Sequence, residues 1–165
     1  MDASEHRTYG MKMYLLTYRD EVSGYAITMA VPAVTNKAAK QFFEVCFKLS
    51  PFEIEKVITD NSSEFKGEFV SLLSDAHITH LWAYPSTPKM NAVCERFNRT
   101  IQEQFVDYHE ELLFTDLATF NEQWADWLVK YNSIRAHKGL ELKTPMQYII
   151  ENKPQCNMWR VHTSN

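Results

Sequence analysis

At 165 residues the chain suits one domain with length enough to bury a real core. Its composition of 45% hydrophobic and 23% charged residues, with four Gly and six Pro, excludes a disordered or low-complexity protein. No apolar run reaches the ~18 residues of a membrane span and no signal-peptide pattern opens the chain, so a soluble protein without membrane contact is expected. The net charge of −4 argues against a generally basic nucleic-acid surface, but not against DNA chemistry in which metal ions offset carboxylates locally.

The opening MDASEH predicts a first strand, entered part-way along its length, with a turn over RTYG (7–10). MKMYLLTYRD (11–20) and GYAITMAVP (24–32) form a predicted hairpin. NKAAKQFFEVCFKL (36–49) has helical spacing, with Asn36 as N-cap and Ala39, Phe42, Phe43, Cys46 and Phe47 facing a sheet. KVITD predicts a short buried strand, EFVSLLSDA a helix with a Phe69, Leu72, Leu73 and Ala76 stripe, and ITHLWAYP a further strand.

PSTPKMN (85–91) has two prolines and no periodicity, and so is expected as an exposed loop. AVCERFNRTIQEQFVDY predicts an amphipathic helix with Val93, Phe97, Ile101, Phe105 and Tyr108 on one side. A second long helix is expected from near Asp116, with Leu117, Phe120, Trp124, Leu128 and Tyr131 buried. Trp124, Trp127 and Tyr131 belong to the core rather than to a base-stacking platform. KTPMQYII begins a last helix, with Thr144 at the cap and Pro145 in the first turn. The order defines an α/β fold with helices on the faces of its sheet.

Cys46, Cys94 and Cys156 are widely spaced and lack a C-x-x-C pairing, so free thiols in a reducing compartment are expected. His77 and His80, three apart on a strand, would point to opposite faces and so could not share a metal.

The remaining chemistry lies in carboxylates. VITDNSSEF (57–65) places Asp60 at a strand end, where ligands gather in open α/β sheets, with Glu64 four residues on as a loop or helix-start residue. Asp2 lies on the first strand and Glu95 on the helix after the Pro-rich loop. Three converging carboxylates repel one another unless cations bind them, and hard oxygen donors select Mg²⁺ or Mn²⁺. Two such ions suit displacement at a phosphodiester.

TDNSSEF, YPSTPKMNAVCERFNRTIQEQF and WLVKYNSIRAHKGLELKTPMQYI, in that order, resemble the catalytic core of the retroviral integrase superfamily, most closely DDE transposases of bacterial insertion sequences. The resemblance covers nearly the whole chain. It implies an RNase H-like fold with a five-stranded mixed sheet, three antiparallel strands then two parallel, over one domain (1–165) belonging to a longer protein. It also implies a polynucleotidyl transferase that cleaves element ends and transfers the 3′-hydroxyl into target DNA.

Asp60 and Glu95 correspond to the second and third acids of the triad, and Asp2 to the first. Asp20, the other candidate for the first acid, reads as a turn residue. Two Mg²⁺ or Mn²⁺ ions, DNA, a homodimer or larger assembly, and a bacterial cytoplasm with nucleoid association during action all follow from the resemblance. Lys89 in the loop, and Asn91, Asn98, Arg99 and Gln102 near the face of Glu95, are candidate DNA contacts. Arg135, His137 and Lys138 of the YNSIRAHKGL block could grip DNA, but a structural role is expected, with Asn132 and Arg135 fastening the last helices to the core. Ser62 and Ala92 stand where the family usually has glycine, which bears on loop geometry near the acids. Two other functions share these residues: an RNase H-like nuclease, and a catalytically silent module for DNA binding or dimerisation.

Overall fold

The computed structural model describes residues 1–8, 10–83 and 88–152, and for 88–95 the backbone. Strands β1 (Asp2–Thr8), β2 (Met11–Arg19) and β3 (Ala26–Val31) form an antiparallel meander in which Asp2 pairs with Thr17 and Arg19 with Ala26. Strands β4 (Lys56–Thr59) and β5 (Thr79–Trp82) pair in parallel. These are the expected three antiparallel and two parallel strands, arranged as two hydrogen-bonded sheets. The amino group of Met1 links them by donating to the Ile58 carbonyl at 2.5 Å.

Alternation along β2 and β3 separates two cores. Leu16, Tyr18, Ile27 and Val31 face α1 (Asn36–Leu49) and α2 (Glu68–Asp75), where Phe42, Phe43, Cys46, Phe69 and Leu73 are buried. Leu15, Ala26 and Ala30 face α3 (Pro88–Gln104), α4 (Glu110–Thr115) and α5 (Leu117–Ser133), which contribute Phe97, Ile101, Leu113, Phe120, Trp124, Leu128 and Tyr131. Trp127 packs against this second core, so the aromatic run of α5 is packing, as its spacing predicts.

Several boundaries differ from expectation. Thr35, not Asn36, caps α1, because its hydroxyl accepts from the Ala38 N–H at 3.1 Å. Phe47 is 52% exposed, since the α1 stripe facing the sheet ends at Cys46. Helix α3 starts at Pro88, so residues 88–91 of the expected loop are its first turn; proline suits that position because its missing N–H has no helical partner there. Residues 85–87 and Val93's side chain lie outside the described residues. The helix ends at Gln104, which leaves Tyr108 in a 3₁₀ turn (Val106–Tyr108) and 79% exposed. Helix α4, six residues long and without a side-chain cap, is too short to show an apolar period in the sequence.

Helix α6 (Pro145–Asn152) opens with a reciprocal cap in which the Gln147 N–H donates to Thr144 Oγ1 at 3.1 Å and the Thr144 N–H to Gln147 Oε1 at 2.9 Å. Helix α5 covers the outer edge of β3. Asn132 accepts from the Ala26 N–H at 3.0 Å and donates to its carbonyl at 2.8 Å; Asn121 does the same to Ala30 at 2.9 and 3.0 Å. Two side-chain amides thus satisfy backbone groups that an open edge would offer to another strand. Between them the Trp124 indole N–H donates to Thr28. Asn132 fastens α5 as expected, and Arg135 donates to Gln104 at the end of α3.

Candidate active site

Asp2 opens β1 and Asp60 follows β4. The Met1–Ile58 bond lies one residue from the first and two from the second, which brings the two acids to neighbouring strand ends. Both are half-buried. Asp60 is braced by its own loop: Ser62 Oγ donates to Asp60 Oδ2 at 2.5 Å and the Ser62 N–H to Oδ1 at 3.3 Å. Behind it Thr59 Oγ1 donates to the Asp60 carbonyl at 2.9 Å and lies 2.9 Å from His80 Nε2.

Ser62 is therefore more than a tolerated departure from glycine. Its φ of −70° is ordinary extended backbone, so no left-handed conformation calls for glycine, and its hydroxyl orients the acid. Ala92 lies within α3, where alanine is favoured over glycine by about 1 kcal/mol. Glu64 sits in the 3₁₀ turn Ser63–Phe65, in line with its reading as a helix-start residue.

Asp2 is held from the opposite element. Asn98 Nδ2 donates to Asp2 Oδ2 at 2.7 Å, while Asn98 Oδ1 accepts from Thr17 Oγ1 at 3.2 Å. Thr17 is Asp2's strand partner and is fully buried, so one carboxamide ties α3 to two adjacent strands. Glu95 lies on α3 three residues before Asn98, one turn away along the backbone. Its side chain, with those of Lys89 and Asn91, lies outside the described residues.

The remaining candidates separate. Arg99 is exposed on α3, and Gln102 donates to Asp107. Asp20 holds the β2–β3 turn by accepting from the Ser23 N–H at 2.8 Å and the Ser23 hydroxyl at 2.6 Å, which is the turn role read for it. His77 is a turn residue at φ +56° before β5, while His80 is half-buried against Phe69 and Trp82. Cys46 is a buried free thiol, and burial pushes its pKa well up.

The donor set suits a hard cation. Among the described residues neither Asp2 nor Asp60 is paired with Lys or Arg, and their hydrogen-bond partners, Asn98 and Ser62, are uncharged donors. The negative charge is thus not neutralised by the described protein groups, and carboxylate oxygens remain for a divalent ion. Those same residues hold no group of three His, Cys, Asp or Glu side chains together.

This fold recurs in retroviral proteins. The catalytic core domain of HTLV-2 integrase, solved in complex with magnesium in a trimeric form, superposes with a TM-score of 0.71 at 20% identity, over 89% of this chain and 91% of that one. The catalytic core of BIV integrase does so at 0.68 and 17%, over 91% and 92%. The architecture is RNase H-like, the fold of these integrase cores. Residues 76–145 belong to the integrase core domain family, and a protein of an insertion element from Xanthomonas euvesicatoria is 32% identical over 111 residues. That alignment takes in 67% of this chain but 30% of the relative, so the chain spans under a third of its length. No described helix is long and apolar enough to cross a membrane.

Proposed function

We propose that this chain is the catalytic core of a DNA recombinase that cleaves element ends and transfers the resulting 3′-hydroxyl into target DNA. The observation that carries the reading is the hold on Asp2: a side chain of α3, one turn from Glu95, reaches the acid at the start of β1, whose neighbour across the Met1–Ile58 bond is the segment ending in Asp60. This hold supports a site built from the three sequence-distant acids Asp2, Asp60 and Glu95.

In the first step a water oxygen attacks phosphorus and the bond to the 3′ oxygen breaks, freeing a 3′-hydroxyl. In the second that hydroxyl oxygen attacks a target phosphodiester in line, joining the strands and releasing the target's own 3′ end. Asp2, Asp60 and Glu95 would hold Mg²⁺ or Mn²⁺, two ions in the family's pattern. When bound, such ions supply Lewis-acid stabilisation of the attacking and leaving oxygens.

The chain's other residues orient the acids and the substrate. Asn98 fixes the Asp2 carboxylate against Thr17, and Ser62 fixes that of Asp60. Exposed Arg99, with Lys89, Asn91 and Gln102, would meet DNA along α3. A pair of cores acting together, in the bacterial cytoplasm, is part of this reading. The insertion-element relative favours it over RNA hydrolysis.

Asp60→Asn and Glu95→Gln should each abolish strand transfer on DNA carrying the element's ends while leaving the circular dichroism spectrum unchanged. Full activity in either variant would overturn the assignment.

A further inference from the structure

A cavity of about 440 Å³ opens between the end of β2 and the loop after α5, outside the carboxylate site. Arg19, Arg96, His137 and Lys138 line it, and Glu21 is the one carboxylate among the described lining residues. Among the described residues, three permanent cations and one carboxylate line this concave site in a chain whose net charge is −4. Such concentration in a concave site focuses potential toward anions.

Its cationic wall is built rather than incidental. The Arg19 guanidinium lies 5.7 Å from the Phe97 ring centroid. Gly24, at φ +69°, gives it room, since a Cβ there would meet Arg19 Nη2 at 3.2 Å. Lys138 begins the 3₁₀ turn Lys138–Leu140, which is pinned by the His137–Lys143 bridge. Burial depresses the His137 pKa; the Tyr131 carbonyl opposes this, and the positive fields of Arg135 and Arg19 add to the depression.

The position is informative. Arg19 lies two residues along β2 from Thr17, the partner of Asp2, a distance of about 7 Å along a strand. Arg96 adjoins Glu95 on α3. The cavity is therefore walled by the strand that pairs with Asp2 and by the helix that carries Glu95.

We propose that this cavity is a subsite for a backbone phosphate of the DNA, gripped by Arg19, Arg96 and Lys138. The idea rests on the DNA-recombinase reading and extends it to the YNSIRAHKGL block, whose His137 and Lys138 have no part in the reaction as described. A phosphate contact positions the strand without reading sequence.

The test uses the whole chain and a fluorescently labelled DNA duplex, with affinity followed by anisotropy between roughly 50 and 200 mM salt. Arg96→Gln and Lys138→Gln, both at exposed positions, should each reduce the slope of log affinity against log salt by about 0.9, whatever the duplex sequence. Arg96→Lys and Lys138→Arg should restore it. Lys48→Gln, on α1 over the opposite sheet face, is the control for charge loss alone. Slopes for Arg96→Gln and Lys138→Gln equal to that of Lys48→Gln, with wild-type binding intact, would overturn the subsite and leave the recombinase reading standing. A wild-type chain that shows no salt-dependent DNA binding would overturn both.

Discussion

Asn98 and Asp2 are 96 positions apart in sequence and 2.7 Å apart in the fold, joined by a hydrogen bond from the Asn98 carboxamide to the Asp2 carboxylate. The same carboxamide accepts from buried Thr17, so its orientation is fixed from both ends. Asn98→Ala should lower strand transfer about 10- to 100-fold, the usual effect of losing a partner that orients a metal-binding ligand. It should also cost roughly 1 kcal/mol of stability, because Thr17 loses its acceptor. Parallel activity assays and denaturant melts check both, and unchanged activity would separate Asn98 from the site.

Ser62 gives a graded comparison. Ser62→Ala removes the hydroxyl donor to Asp60 and should cost about 1 kcal/mol with a loss of activity. Ser62→Gly, the residue common in the family, loses the same donor and adds backbone freedom at a φ of −70° that does not need it. The glycine variant should therefore melt at or below the alanine variant. A more stable glycine variant would show that the loop prefers another conformation.

Divalent-ion binding can be read without turnover. Mn²⁺ should raise the melting temperature of the wild-type chain, since a ligand that binds only the folded state stabilises it by mass action, and Asp60→Asn should remove most of the rise. A wild-type melt indifferent to Mn²⁺ would favour the catalytically silent module instead.

The β3 edge tests structure apart from chemistry. Asn132→Ala leaves the buried Ala26 N–H and carbonyl without partners and should destabilise by about 2–4 kcal/mol, measured by urea unfolding. Asn121 makes the same pair of bonds in a less buried place, so Asn121→Ala should cost less. The reverse order would mean that edge capping is not what these residues contribute.

Stability should fall on mild acidification. Burial is the first cause that lowers the pKa of His6, His80 and His137, opposed at His6 by Asp107 and Glu110 and reinforced at His80 by the Met1 amino group. Each folded-state pKa lies below its unfolded value, so as pH drops through about 6.5 the unfolded chain takes up protons first and folding weakens. Melting temperatures at about pH 8 should exceed those at about pH 5.5, and His137→Gln should shrink the difference. A flat profile in the wild type would contradict these directions.

The sequence by itself determined the features encoded over a few residues. The α6 cap was legible because Thr144, Pro145 and Gln147 make it locally. The stripes Phe42–Phe43–Cys46 and Phe120–Trp124–Leu128 were legible because burial repeats with the helical period. The ordered blocks around Asp60 and Glu95 were enough to identify the superfamily and the acids to test. Only the tertiary structure decided that Phe47 and Tyr108 face solvent, since period alone does not say where a covering surface ends. It alone placed Asn98 on Asp2, Asn132 on the β3 edge, and Arg19 in one cavity with Arg96 and Lys138. Each joins residues remote in the chain, and the directional bonds or shared cavity walls that bring them together leave no periodic trace in a linear sequence. They exist only once the sheets and helices have packed.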